Sequence, residues 1–190
     1  FSLVIFTLIV PPQIVIIPQY LNFRFFNIFG LLGESGINLI GTYWPVILTS
    51  LTAVGVQSGL YIYIARQFFK GMPKSLEEAA WVDGAGPIKI FLSVMLPGAV
   101  PVLVVIFLFS FVAQWNDYLV TTLILGGKNL LPIKLESLST TISSYLTLTG
   151  EYTSLINNTG MILFMIPLLI LYALMQKYFI ESIERTGLVG

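Results

Sequence analysis

The residues with the most informative types and spacing lie in one charged segment, residues 66–101. Ser75 and Glu78 are spaced as a capping box, in which each side chain bonds the backbone amide of the other at the start of a helix. Gly84 is placed to end that helix, and Pro87 is placed to begin a second one. Two short helices joined by a glycine turn can dock onto another protein, and this role makes and breaks no covalent bond.

One side of the first predicted helix is small and flat. At the spacing i, i+3, i+4 and i+7 it carries Leu76, Ala79, Ala80 and Asp83. A helix that rests on lipid headgroups usually carries larger apolar residues and more lysines. The pattern therefore favours a helix that inserts into a groove on another protein over a lipid-resting helix.

The sequence offers little for covalent chemistry. It has no histidine and no cysteine, which excludes Ser-His catalysis, thiolate nucleophiles and zinc-thiolate sites. Residues 126–129 lack the first glycine and the hydroxyl residue of a phosphate-binding loop, so they cannot hold phosphates and Mg²⁺. We expect no catalytic residue, no metal site and no cofactor. The net charge of zero also disfavours nucleic acid as a partner.

The elements that must position this segment are membrane spans. Of the 190 residues, 56% are hydrophobic and 9% are charged, against about 25% charged in an ordinary soluble domain. About twenty apolar residues cross a bilayer, and four uncharged stretches reach that length: residues 1–23, and those between 34 and 66, between 89 and 117, and between 151 and 177. The sequence predicts an all-α, polytopic transmembrane helical bundle, in one domain 1–190 with an external loop at about 70–90.

Basic residues orient these spans. The loop between the second and third spans and the tail after the fourth span carry six of the nine Lys and Arg residues. The positive-inside rule places both, and Phe1, on the cytoplasmic side. The segment between the third and fourth spans is too long for a tight turn, and its residues 130–132 and 137–144 predict a short helix outside the membrane.

Small and polar residues inside the spans predict helix packing or a pathway. Gly55 and Gly59 are spaced as GxxxG in the second span, which lets another helix approach closely. Polar groups within spans either hydrogen-bond between helices or line a pathway, with helix packing the more common role. The pathway candidates are Gln57, Ser110, Gln114 and Asn116.

A longer pattern runs through the charged segment: Glu78-Ala79-Ala80, three residues, Gly84, nine residues, Val94, one residue, then Leu96-Pro97. It resembles the EAA signature of binding-protein-dependent ABC transporter permeases, and Val94 in place of Ile is the only departure. Trp115-Asn116-Asp117 is similar to a motif of the maltose-type carbohydrate importers, although an interfacial tryptophan belt would also explain Trp115. Members usually have six spans, so we expect the first two to be missing from this sequence.

The resemblance implies a role for the charged segment. In the family its two short helices form a coupling helix that docks into a cleft on the ATP-hydrolysing subunit. The coupling residues carried over are Glu78, Ala79, Ala80, Asp83, Gly84 and Pro97. Tail contact with that subunit is a weaker expectation, because residues 186–190 lack the lysine of the family's usual ending.

The resemblance also implies a function and partners. The chain would be the permease subunit of an importer for a sugar or related solute in a bacterial or archaeal plasma membrane, and not itself an enzyme. Its partners would be ATP-binding subunits, a second permease subunit, an extracytoplasmic solute-binding protein and the lipid bilayer. An ion-coupled secondary transporter is the alternative, and a membrane-embedded enzyme a third option. The predicted spans contain no ionisable residue for ion coupling or catalysis, which counts against both.

Overall fold

The computed structural model describes the chain outside residues 32, 34, 35, 56, 127, 129, 146–149 and 188–190, and the side chains outside residues 3, 151 and 181–187 as well. Within these residues the fold is α-helical, as the sequence predicts, apart from an isolated antiparallel bridge between Phe26 and Ile37. In chain order the elements are α1 (Ser2–Ile9), α2 (Pro12–Arg24), α3 (Trp44–Leu51), α4 (Ser58–Gly71), α5 (Lys74–Val82), α6 (Pro87–Ile90), a π segment (Phe91–Met95), α7 (Leu96–Gly98), α8 (Val100–Trp115), α9 (Leu119–Leu125), α10 (Leu131–Glu136), α11 (Leu138–Ser143) and α12 (Gly150–Gly187).

The fourth predicted span is a single long helix. Within α12, residues Tyr152–Ile180 form a stretch of 29 residues that contains an 18-residue window with a mean hydropathy of 2.0, so it is long and apolar enough to cross a bilayer. Among the described residues, the third predicted span is the other candidate, because Pro87–Gly98 and Val100–Trp115 pass the same test together with a bend of 65°. Length and composition thus support up to two spans in this part of the chain, and the four-span count stays a prediction.

The first two predicted spans are each divided into two helices. α1 and α2 are separated at Pro11, whose backbone is extended (φ −60°, ψ 133°) because it precedes Pro12. α3 ends at Leu51 and α4 begins at Ser58, and Ala53 between them has a positive φ of 53°. The Pro11–Pro12 pair therefore breaks the helix of the first span, whereas Pro18 remains inside α2.

The GxxxG spacing predicts a close helix contact, and Gly59 makes it. Gly59 is buried in α4 against α1. A Cβ atom placed on Gly59 would lie 2.5 Å from Thr7 Oγ1 and 3.2 Å from the Val4 carbonyl oxygen. At Gly55 the nearest atom would be Ser58 Oγ at 3.3 Å, in the same segment. The close approach between α1 and α4 thus depends on Gly59 and not on Gly55.

α8 lies at the centre of the bundle and packs on α4 and α12. Its buried side chains are Pro101, Val102, Val105 and Leu108. At its end, the Trp115 ring lies 5.6 Å from the rings of both Phe111 and Phe164, measured between centroids. Trp115 is therefore a packing residue between α8 and α12, in addition to any position near the membrane surface.

Between α8 and α12 the structure describes three short helices, where the sequence predicts one. Asp117 fixes the start of α9, because its Oδ2 accepts hydrogen bonds from the Thr121 amide at 2.7 Å and the Thr121 hydroxyl at 2.8 Å. The Tyr118 hydroxyl donates to the Glu136 carboxylate at the end of α10, which raises the pKa of Tyr118. α10 and α11 pack on α12, where the Leu138 side chain covers Gly160.

Candidate functional site

The segment with the EAA signature begins as the short helix α5, two residues earlier than predicted. The predicted capping box is wrong, because α5 begins at Lys74, directly after the extended residue Pro73, and has no side-chain cap hydrogen bond. Ser75 therefore lies inside the first turn rather than before it. Glu77 is also in that turn, where a carboxylate interacts favourably with the positive end of the helix dipole.

The end of α5 is the glycine turn that the sequence predicts. Gly84 has φ of +75°, a conformation that glycine adopts without strain. Its N–H donates to the Trp81 carbonyl at 3.0 Å, and the Ala85 N–H donates to the Ala80 carbonyl at 3.0 Å. This pair of bonds is the Schellman motif, which satisfies the last carbonyls of a helix. No atom lies within 4 Å of where a Cβ on Gly84 would be, so the turn borders open space.

The second predicted helix begins at Pro87, as expected, but it is not a separate short helix. α6 continues through the π segment and α7 towards α8. Pro97 lies in α7, beyond the π segment, where its missing N–H and bulky ring weaken the helical hydrogen bonding towards Ser93. In the π segment, the Leu96 N–H donates to the Phe91 carbonyl, five residues back. Pro97 therefore shapes the helix that follows the loop and does not lie on α5.

Three large apolar side chains of the loop are exposed, a feature that the sequence analysis missed. The exposed fractions are 87% for Val82, 75% for Ile88 and 57% for Trp81. We call these three residues the apolar tip. Large apolar side chains exposed at a surface indicate a site that contacts another protein or a membrane. The signal in the sequence that could have predicted this surface is the presence of large apolar residues within an otherwise charged segment.

The predicted coupling residues fall at different positions around this loop. The structure places on the exposed surface Glu78, Ala79, Asp83, Gly84 and Pro97, whereas Ala80 is half-buried. Behind the loop, Ile90 is 3% exposed, and the Phe91 ring lies 6.1 Å from the Phe69 ring at the end of α4. The Met72 side chain lies against Gly98 in α7, where an added Cβ would be 2.9 Å from the Met72 Cε. The apolar tip is thus presented by a loop whose inner side is packed.

The four pathway candidates are not brought together. Gln57 lines a cavity of about 530 Å³ between α4, α8 and α12, where its neighbours on α8 include Leu108 and Val112. Ser110 and Gln114 do not line that cavity, because at 100° per residue they lie towards the opposite face of α8. Their pathway role stays a prediction.

The hydrogen bonds of these polar side chains are mostly local. Gln57 Oε1 accepts from the Tyr61 hydroxyl at 2.8 Å within α4. Ser110 Oγ donates to the Phe107 carbonyl at 2.9 Å, and Asn116 Nδ2 donates to the Val112 carbonyl at 2.8 Å. In the described part of the chain, none of these three side-chain bonds links one helix to another. No group of three acidic side chains that could hold a metal ion occurs there either.

The class of protein follows from comparison with known families. Residues 1–185 match the family of binding-protein-dependent transport system inner membrane components. This match covers nearly the whole chain, and the chain belongs to that family. The resemblance carried by the EAA signature is therefore confirmed.

Individual relatives are permease proteins of transport systems. The chain is 34% identical over 189 residues to the osmoprotective compounds uptake permease protein GgtD of Synechocystis sp., covering 96% of this chain and 55% of the relative. It is 29% identical over 156 residues to the maltodextrin transport system permease protein MdxG of Bacillus subtilis, covering 81% and 52%. It is 29% identical over 192 residues to the arabinooligosaccharides transport system permease protein AraQ of Halalkalibacterium halodurans, covering 100% and 60%. The chain thus spans little more than half the length of these curated relatives.

Proposed function

We propose that this chain crosses the plasma membrane in several spans and is the permease subunit of an ATP-binding-cassette importer. It would carry a sugar or related solute across that membrane. The observation that carries the proposal is the family match over residues 1–185. The sugar assignment is supported by relatives that are permease proteins for maltodextrin and for arabinooligosaccharides. GgtD, for osmoprotective compounds, widens the class to other small polar solutes.

The loop that contains α5 supports a docking role towards a separate ATP-binding subunit. The apolar tip of Trp81, Val82 and Ile88 is a hydrophobic anchor of the kind that fills a groove on a partner. The Schellman turn at Gly84 fixes the direction of that anchor relative to α5. Hydrolysis of ATP takes place on the partner, and this chain converts the partner's movement into a change of its helices.

The route for that movement is the continuous chain of helices after the loop. α6, the π segment and α7 lead without a break in helical structure to the 65° bend before α8. A force on the apolar tip therefore reaches α8, which packs on α4 and α12. The partner would shift the populations of inward- and outward-open states by contacting the loop differently in each.

The other partners follow from the same assignment. A second permease subunit would complete the pathway, and an extracytoplasmic solute-binding protein would deliver the solute. The short helices α9, α10 and α11 would form the surface that faces the binding protein, because they follow the end of α8 whereas α5 precedes its start.

Co-purification tests the assignment. The full-length protein, extracted in mild detergent, should carry an ATP-binding subunit with it, and Val82→Asp or Ile88→Asp should release that subunit by placing a charge in an apolar contact. Leu131→Asp is the matched control, because Leu131 is 53% exposed at the start of α10, away from the loop. A protein that travels without an ATP-binding subunit and takes up solute on an ion gradient would instead be a secondary transporter.

A further inference from the structure

A cavity of about 230 Å³ lies behind α5, between that helix, the end of α4 and the π segment. It is distinct from the apolar tip, because none of the three tip residues lines it. Its apolar lining comes from Phe69, Met72, Pro73, Leu76, Val94 and Met95, and its charged lining from Lys70, Lys74 and Glu77. The cavity lies where the loop joins the second and third predicted spans, so it borders the cytoplasmic face of the bilayer in the predicted orientation.

The two lysines of this cavity have no ion-pair partner within the residues that the structure describes. In the described part of the chain, neither Lys70 nor Lys74 forms an ion pair or lies over an aromatic ring. Four other cations do lie over rings: Arg24, Arg66, Lys128 and Lys177. Glu77 is the acidic residue that lines the same cavity, so the lining carries an excess of one positive charge.

The position of Lys74 at the start of a helix adds to this excess of positive charge. It is the first residue of α5, where the positive end of the helix dipole makes a cation unfavourable. Lys70, in contrast, is in the last turn of α4, where a cation is favourable. A negatively charged ligand beside Lys74 would interact favourably with both the lysine and the start of α5.

We propose that this cavity binds an anionic phospholipid of the cytoplasmic leaflet. The phosphate lies between Lys70 and Lys74, and the upper part of an acyl chain lies on Met72, Leu76 and Met95. Charge complementarity favours an anionic headgroup. The apolar lining favours a lipid over free phosphate, which has no group to place on it.

The bound lipid would also affect coupling. It fills the space between α5 and the π segment, and so limits how far α5 can tilt towards the bundle. Anionic lipid would therefore change the solute-stimulated ATPase activity of the complex. This consequence rests on the proposed function, whereas the binding itself does not.

Native mass spectrometry of the complete complex tests the binding. After delipidation and titration with phosphatidylglycerol or phosphatidylcholine, we expect one phosphatidylglycerol to be retained per copy of this chain. The double variant Lys70→Gln/Lys74→Gln should weaken retention by about thirtyfold. Lys89→Gln/Lys134→Gln is the matched control with the same change in net charge, because neither residue lines the cavity.

A second variant covers the case in which the lysine variant fails to fold. Leu76→Trp leaves the charge unchanged and fills the cavity, and it should also lose phosphatidylglycerol. Equal retention by the two double variants, or equal retention of the two lipids by the unchanged protein, would overturn the proposal. Crosslinking of Lys70 or Lys74 to the ATP-binding subunit, unaffected by phosphatidylglycerol, would overturn it too and assign the cavity to a protein contact.

The ATPase measurement separates this inference from the proposed function. In vesicles, phosphatidylglycerol should change the solute-stimulated activity of the unchanged complex and leave that of Lys70→Gln/Lys74→Gln unaffected. Retained lipid without any ATPase activity in the purified complex would support the lipid site and contradict the proposed function.

Discussion

The Trp115 indole nitrogen donates a hydrogen bond to the Phe164 carbonyl oxygen at 3.3 Å, and so joins the end of α8 to α12. The two residues are 49 positions apart in the chain, and their rings are also in contact. Pro167 follows three residues later in α12, where its missing N–H already loosens the helical hydrogen bonds of this turn. This relationship holds together the two helices that are the best candidates for membrane spans.

Replacement of Trp115 separates the hydrogen bond from the ring packing. Trp115→Phe removes the N–H and keeps a ring, so we expect a loss of about 1 kcal/mol in the free energy of unfolding. Trp115→Ala also removes the contacts with Phe111 and Phe164, and should cost about 3 kcal/mol. Unfolding of the full-length protein in mixed detergent micelles measures both values.

Trp44→Phe is the control for this pair. Trp44 is 56% exposed, and its indole has no hydrogen bond within the described residues, so this variant should change the unfolding free energy little. A cost for Trp115→Phe no larger than that for Trp44→Phe would contradict a stabilising role for the bond to Phe164.

The parts of the fold that could be predicted from the sequence are those with local causes. Gly84 ends α5 because a positive φ is required there, and Pro87 begins α6 because its fixed φ and missing N–H suit a first helical position. The capping-box pattern predicts the start of α5 too late, because both Ser75 and Pro73 are residues that can precede a helix. In the structure Pro73 is extended, and the helix begins directly after it at Lys74.

The parts that could not be predicted depend on which face of a helix is packed. In α8 almost every residue is apolar, so the sequence has no period that would distinguish the face towards the 530 Å³ cavity from the face that carries Ser110 and Gln114. Exposure of Val82 and Ile88 likewise could not be inferred, because apolar residues are usually expected inside.

Gly59 should be sensitive to the smallest possible substitution. Gly59→Ala places a methyl group 2.5 Å from Thr7 Oγ1 and 3.2 Å from the Val4 carbonyl oxygen, so the Thr7 side chain or α1 itself must shift, at a cost of about 1–3 kcal/mol. Gly71→Ala is the matched control in the same helix, since no atom lies within 4 Å of its added Cβ. Gly71→Ala should be neutral or slightly stabilising, because alanine favours helix. Equal unfolding free energies for the two variants would contradict the close contact.

Asp117 and Thr121 should behave as a coupled pair. Asp117→Ala removes the acceptor for the Thr121 amide and hydroxyl, and Thr121 is 4% exposed, so two buried donors lose their partner at a cost of about 2 kcal/mol. Thr121→Val added to Asp117→Ala removes one of those donors. The double variant should therefore be less destabilised than the sum of the two single variants, by at least about 0.5 kcal/mol. Strict additivity in the double-mutant cycle would contradict the pairing.

A substitution at Gly84 can distinguish the role of the backbone turn after α5 from the role of the surface around it. Gly84→Asn retains a residue that tolerates a positive φ, and its side chain enters space that is open in this chain. The unfolding free energy should therefore change by less than about 1 kcal/mol. In the assembled complex the same side chain should clash with the ATP-binding subunit and lower solute-stimulated ATP hydrolysis by about tenfold or more.

The control for Gly84→Asn is Gly86→Asn, two residues along the same loop. Gly86 has φ of −72° and also has no atom within 4 Å of an added Cβ, so this variant adds the same side chain without a conformational requirement. We expect its ATPase activity to stay within about threefold of the unchanged complex, because the side chain leaves the loop in another direction. Full activity in Gly84→Asn would show that the turn does not face the ATP-binding subunit. Loss of activity in both variants would mean that the whole loop surface is in contact, and that Gly84 has no special place in it.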